Sequence, residues 1–161
     1  WAVCLLTLQV FINPLLIEYG RKIVKGFNVR ERFFHIEFFK VRENEYKVIE
    51  INVRPPGGYG IDMQNYSCDI DLFKVFAELV VHNNNHLEYE RKYNVACALR
   101  RDRFHYVHSI DEVMRRLGPI AVDYKRLPDV FAAVMGNDTF ILRHPEHKEL
   151  FEAVAFALEK Y

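Results

Sequence analysis

Residues 33–58 read FFHIEFFKVRENEYKVIEINVRPPGG, and this stretch decides the fold. Two alternating runs, 33–41 and 46–53, flank the polar connector Arg42-Glu43-Asn44-Glu45. That arrangement predicts an antiparallel hairpin with a four-residue loop. If Val41 faces Tyr46, then Glu37 faces Glu50 and His35 faces Asn52. Side chains alternate with period two, so one face carries His35, Glu37, Phe39, Glu50, Asn52 and Arg54. The other holds Phe34, Ile36, Phe38, Ile49, Ile51 and Val53, as in a sheet packed on a core.

Carboxylates directly opposed across a strand pair, with Cβ atoms about 4.5–5.5 Å apart, repel and call for compensation. A hard divalent cation would supply it, since magnesium takes carboxylate oxygens and completes its shell with water and substrate phosphates. Asn52 offers a third oxygen on that face, and Arg54 a fixed cation suited to paired hydrogen bonds with phosphate or carboxylate. The competing explanation is a solvated polar face with one carboxylate tied to Arg54 or a lysine.

The chain has 161 residues, half of them hydrophobic, enough for one substantial core or two small ones. Its 22 basic residues balance 22 acidic ones, so no net field favours nucleic acid or an anionic membrane. Cys4, Cys68 and Cys97 are widely spaced with no C-x-x-C pair, as expected of reduced cytosolic thiols serving as small core hydrophobes.

The chain opens on Trp1 and enters the apolar run AVCLLTLQVFI, as if cut from a longer protein. The run is too short to cross a bilayer and lacks signal-peptide flanks, so it predicts a buried strand. Asn13-Pro14 reads as N-cap and first turn of a helix with Leu15, Leu16, Ile23, Val24 and Phe27 on its apolar side, ended by Gly26 or Asn28. Strand, helix and hairpin then follow in order, with both faces of the sheet partly covered. Past the hairpin, Pro55-Pro56-Gly57-Gly58-Tyr59-Gly60 ends the strand in a plain turn or an anion-cradling loop; it lacks the G-K-[ST] of a P-loop. A helix is expected over about residues 70–82, capped by Asp69 or Asp71, with Leu72, Phe73, Phe76, Leu79 and Val80 inward.

Asn83-Asn84-Asn85 breaks that pattern and is the best boundary candidate, giving 1–85 and 86–161, although a short loop is all it need be. In the second part, 93–99 reads as a strand, and Ser109-Ile110-Asp111-Glu112 as a capping box before a helix ending at Gly118. Residues 120–124 read as another strand. Residues 130–135 and 139–142 form an expected hairpin around Gly136-Asn137-Asp138, and Pro145 opens a last helix with Leu150, Phe151, Val154 and Leu158 inward. His144 and His147 lack the spacing of a zinc motif, and no G-x-S-x-G elbow is present. The run Arg100-Arg101-Asp102-Arg103 reads as a solvated strand end rather than a nucleic-acid contact.

Glu37 within HIEFF, followed thirteen residues later by Glu50-Ile51-Asn52-Val53-Arg54, resembles the metal-binding end of the ATP-grasp enzymes. The continuation PPGGYGIDMQNYSCDIDLFKVFAELV is similar to the biotin-carboxylase-like and amino-acid-ligase branch of that superfamily. The resemblance implies an α+β fold: 1–85 as the C-terminal half of the ATP-grasp domain, with an antiparallel sheet and helices, and 86–161 as the small α+β lobe that follows it. It implies ATP and Mg2+ (or Mn2+) as cofactors, with Glu37, Glu50 and Asn52 on the metal. Arg54 would be the catalytic contact to phosphate or the reacting carboxylate, and Phe39 would lie under adenine. The implied activity joins a small carboxylate to an amine or similar acceptor through an acyl phosphate, in a cytoplasmic protein compatible with a homodimer, without nucleic acid or membrane as partner. The chain departs from the family in having Arg30-Glu31-Arg32 where many relatives have glycine. The half of the grasp that carries phosphate-binding lysines would precede Trp1, so the chain is expected to be inactive alone. The alternative is a non-catalytic module for nucleotide binding or subunit interaction.

Overall fold

A computed structural model of the chain describes residues 5–8, 13–83 and 87–161. Among the described residues it is α+β, with six strands in two antiparallel sheets. The described residues of Trp1–Val10, Met63–Asp69 and Glu90–Tyr161 form one compact unit, and those of Phe11–Asp62 and Ile70–Tyr89 another.

The first unit is built on a four-stranded sheet in the order β1-β4-β6-β5, from β1 (Leu5–Leu8), β4 (Asn94–Arg100), β5 (Ala121–Arg126) and β6 (Asp138–His144). Every residue of β4 is buried, as a central strand requires. Phe140, Leu142, Ala96 and Ala98 pack with Val113 of α4 (Ile110–Leu117) and with Leu150, Ala153, Val154 and Ala157 of α6 (His147–Leu158). Burial of a large apolar side chain in such a cluster contributes about 1.5–3 kcal/mol. Ser109 caps α4 by accepting from the Glu112 amide at 3.1 Å, as the capping-box pattern requires.

Arg100 is a buried strut, contrary to the expected solvated strand end. Its Nε donates to the Ala157 carbonyl at 2.7 Å and its Nη1 to the His108 carbonyl at 2.8 Å, between the rings of Tyr106 and Phe140. Neighbouring Arg126 pairs with Asp102 and Asp138. The Tyr124 hydroxyl donates to Asp138 at 2.7 Å, and burial with that contact pushes Tyr124 up to about 12. Residues 130–135 form no strand: a 3-10 turn at Asp129–Phe131 runs into α5 (Ala132–Met135). A Cβ on Gly136 would lie 2.6 Å from the Arg100 carbonyl oxygen, and its φ is +76°. That close approach turns the chain out of α5 into β6, so β6 pairs with β5 instead of closing the expected local hairpin.

The second unit holds α1 (Pro14–Gly26), the hairpin of β2 (His35–Arg42) and β3 (Glu45–Asn52), and α3 (Leu72–His82). Asn13 caps α1 by accepting from Leu15, and its amide donates to the Tyr46 hydroxyl at 3.2 Å. No residue of α1 is buried, so its apolar side is only partly covered. Asp71 caps α3, and Asn83 ends it in the left-handed conformation. Only Leu72 and Leu79 of α3 are buried, whereas Phe73 and Val80 of the expected inner stripe are exposed. An unexpected helix, α2 (Gly60–Cys68), follows the proline-glycine segment. Gly60 opens it where a Cβ would lie 2.8 Å from the Pro56 ring.

Two further expectations are corrected. β1 does not share a sheet with the hairpin; it pairs with β4, Leu5 opposite Ala98. The greasier hairpin face is not a closed core face, since Phe34, Ile49 and Val53 are each more than 40% exposed. A two-stranded ribbon has too little neighbouring surface to cover them.

Candidate functional site

The candidate site stands on the β2–β3 hairpin, whose local sequence determines its shape. The turn has two residues, Glu43 and Asn44, and not the expected four, with Arg42 opposite Glu45 and ion-paired to it. Asn44 adopts φ 58°, a conformation asparagine tolerates better than most residues. Pairing is not uniform. Lys40 faces Tyr46, Phe39 faces Lys47 and Phe38 faces Val48, which leaves Val41 and Ile49 as extra residues at two irregularities. One lies on each strand, so they cancel. Beyond the second, Glu37 faces Glu50, Ile36 faces Ile51 and His35 faces Asn52, as expected. A bulge bends its strand and re-aims the side chains beside it. Here it lies directly next to the opposed carboxylates.

Glu37 and Glu50 are both exposed. His35, Glu37 and Glu50 offer donor atoms that all lie within 4.8 Å of one another. Two carboxylates at about 4 Å repel by about 1 kcal/mol even in water. The Asn52 amide nitrogen lies 2.6 Å from Glu50 Oε1, to which it donates, and 3.1 Å from His35 Nε2. His35 Nδ1 is buried and has no hydrogen-bond partner. Sequence reasoning placed His35 on this face but did not count it with the donors. The signal was present, because His35 stands two residues before Glu37 and opposite Asn52, where alternation puts it beside both.

Arg54 lies past the end of β3, and its Nη1 donates to the Pro55 carbonyl at 3.1 Å. It lines a cavity of about 220 Å³ together with Arg32, Phe33, Phe76 and Leu79. Phe33 meets Phe76 edge to face at 5.4 Å between centroids. Arg32 donates to the Glu31 carbonyl at 2.7 Å and to Asn83 Oδ1 at 3.1 Å. Among the described residues, neither Arg32 nor Arg54 is ion-paired with a carboxylate. Phe39 is 66% exposed on the far side of the irregularity from Glu37.

The donor set fits a divalent cation: two carboxylates, an amide that can present its oxygen, and an imidazole, drawn from adjacent strands of one hairpin. Among the described residues, no helix is long and apolar enough to cross a membrane.

No protein-family model and no curated protein matches the sequence. Solved structures do match the fold. L-amino acid ligase from Bacillus licheniformis superposes with a TM-score of 0.68 at 13% identity, covering 93% of this chain and 41% of the ligase. Phosphoribosylglycinamide synthetase from Anaerococcus prevotii superposes with a TM-score of 0.60 at 11% identity, covering 91% of this chain and 41% of the synthetase. The chain thus spans well under half the length of either enzyme. Both are ATP-grasp enzymes, and the likeness is one of fold: the α+β architecture of this chain matches part of an ATP-grasp ligase and is consistent with its C-terminal half.

Proposed function

We propose that the protein acts as an ATP- and divalent-metal-dependent ligase joining a small carboxylate to an amine or similar acceptor, through an acyl phosphate. The observation that carries this reading is the opposition of Glu37 and Glu50, with Asn52 beside them, on a hairpin of an ATP-grasp fold. Opposed exposed carboxylates weaken a strand pair unless something compensates them.

In this reading Glu37, Glu50 and Asn52 hold the cation. When bound, a divalent ion neutralises charge on the terminal phosphates of ATP and orients them. Arg54 contributes a guanidinium for phosphate or for the substrate carboxylate, held by paired hydrogen bonds. The cavity that Arg54 shares with Arg32 has two unpaired cations and apolar walls, which suit a carboxylate with a compact apolar body. Phe39 offers an exposed ring for a nucleobase to cover. Exclusion of water from the reacting groups would protect the acyl phosphate until the acceptor attacks.

Calorimetric titration of the full chain with Mg2+ and ATP tests this. Glu50→Gln is expected to weaken metal-dependent ATP binding by at least ~10-fold, a loss typical of disturbed metal sites. The same substitution removes the like-charge opposition and is expected to raise the metal-free melting temperature slightly, by the equivalent of about 0.2–1 kcal/mol. Equal metal and ATP binding by the wild-type chain and Glu50→Gln would overturn the assignment. Metal-dependent nucleotide binding without ADP release by a protein that also carries the other half of the grasp, screened over amino acids and bicarbonate, would favour a binding module over a ligase.

A further inference from the structure

The site as built from carboxylates and an amide would be an all-oxygen site, yet a nitrogen donor stands inside it. His35 contributes one of the three donor atoms that gather within 4.8 Å, alongside Glu37 and Glu50. Its position follows from the strand: residues i and i+2 share a face, so a histidine two before Glu37 stands over the same patch. The pairing His35 opposite Asn52 then sets it diagonally beside Glu50.

The hydrogen bonds identify which nitrogen is available. A neutral imidazole has one donor and one acceptor nitrogen. The Asn52 nitrogen donates to Glu50 Oε1 at 2.6 Å and lies 3.1 Å from His35 Nε2, and with the amide in that orientation Nε2 is the acceptor, its lone pair turned to the same Asn52 nitrogen that binds Glu50. Nδ1 then carries the proton, in a buried position without a partner. The opposite tautomer is disfavoured: Nε2–H would need the Asn52 oxygen turned toward it, which would remove the amide hydrogen bond to Glu50. A cation among these groups competes with Asn52 for both the Glu50 oxygen and Nε2, and draws the amide oxygen as a further donor.

We propose that His35 is a fourth ligand to the cation and sets its identity, so that the site prefers a first-row transition ion such as Mn2+ to Mg2+. This rests on the metal site proposed above. Mg2+ demands near-ideal octahedral oxygen coordination and dehydrates reluctantly, whereas first-row divalent ions accept imidazole together with carboxylate. One nitrogen in an otherwise oxygen site therefore discriminates between them.

Pulsed EPR of Mn2+ added alone to the full chain, labelled with 15N-histidine and without nucleotide, tests the proposal. The expected result is a histidine 15N coupling on the bound ion that disappears in His35→Gln, together with a fall of at least ~10-fold in the ratio of Mn2+ to Mg2+ affinity. The glutamine variant keeps a polar side chain of similar reach, and unchanged circular dichroism shows that the hairpin unit still folds. Mn2+ bound in a Glu50-dependent way but without histidine coupling would overturn the role of His35 and leave the metal site standing. An affinity ratio unchanged in His35→Gln would do the same. Mn2+ binding undiminished by Glu50→Gln would overturn the metal site itself, and this proposal with it.

Discussion

Charged residues in the two units do different work. Asp69 lies 2.5 Å from Arg143 Nη1 and 3.3 Å from Lys92 Nζ, and the Arg143 hydrogen bond is the main reason its carboxyl is held below the ordinary value of 3.8. A carboxyl depressed on folding stabilises the protein at pH above its unfolded value, and that contribution is lost as pH falls through the folded value. At neutral pH, Asp69→Asn is therefore expected to lower the melting temperature. The gap to wild type should close as the pH drops below about 3.8, the ordinary value of the group. The effect will be small, under about 1 kcal/mol, because the Asp69 side chain is 39% exposed and solvent screens the pair. Thermal melts of both proteins across acidic pH measure it, and a constant gap would contradict the assignment. At the hairpin, by contrast, like charges face each other, and no arginine or lysine pairs with Glu37 or Glu50 among the described residues. That contrast separates a structural ion pair from the carboxylate pair proposed above as a metal site.

At the scale of elements, helix caps were the most legible features. Ser109 and Asn13 cap their helices as the sequence patterns require, because a hydroxyl or amide oxygen at that position satisfies an amide with no partner in the helix. Ser109→Ala is expected to cost about 1 kcal/mol in chemical denaturation, with the loss confined to the unit that contains α4. The hairpin was legible in a subtler way. Uniform alternation placed Glu37 opposite Glu50 correctly although Lys40, not Val41, faces Tyr46. The placement survived because the two irregularities fall on opposite strands and compensate. Periodicity cannot reveal such a pair: a bulge changes which residues oppose each other while leaving the apolar pattern nearly intact. Helix α3 shows the converse failure. Its spacing marks a full apolar stripe, but Phe73 and Val80 are exposed, since amphipathic spacing records which residues can be buried and not which surface is there to bury them.

Across the whole molecule, burial is uneven. β4 is wholly buried and β6 is buried from Asp138 to Leu142, whereas most of the β2–β3 hairpin is exposed. Opening free energy follows such differences in packing. Hydrogen exchange followed by mass spectrometry is expected to show the slowest amides in β4 and β6, and exchange at least ~10-fold faster in β2 and β3 under metal-free conditions. Uniform exchange across both sheets would contradict this ordering. Addition of metal should slow the hairpin selectively if it binds there, since a ligand stabilises the state that binds it.

The sequence by itself determined what depends on neighbours along the chain. Period-two runs made the hairpin and put His35, Glu37, Glu50 and Asn52 on one face; caps and glycines marked helix ends; and the motif around Glu50 pointed to the ATP-grasp fold that the superpositions then matched. Tertiary structure decided what depends on distant residues. β1 joins β4 because antiparallel pairing is settled by complementarity between segments far apart, which no local window contains. Arg100 became a buried strut because two carbonyls and two rings from other segments receive it. His35 became a candidate ligand only when the distances brought its ring among the carboxylates, since alternation assigns a side chain to a face but does not say how closely it approaches its neighbours there.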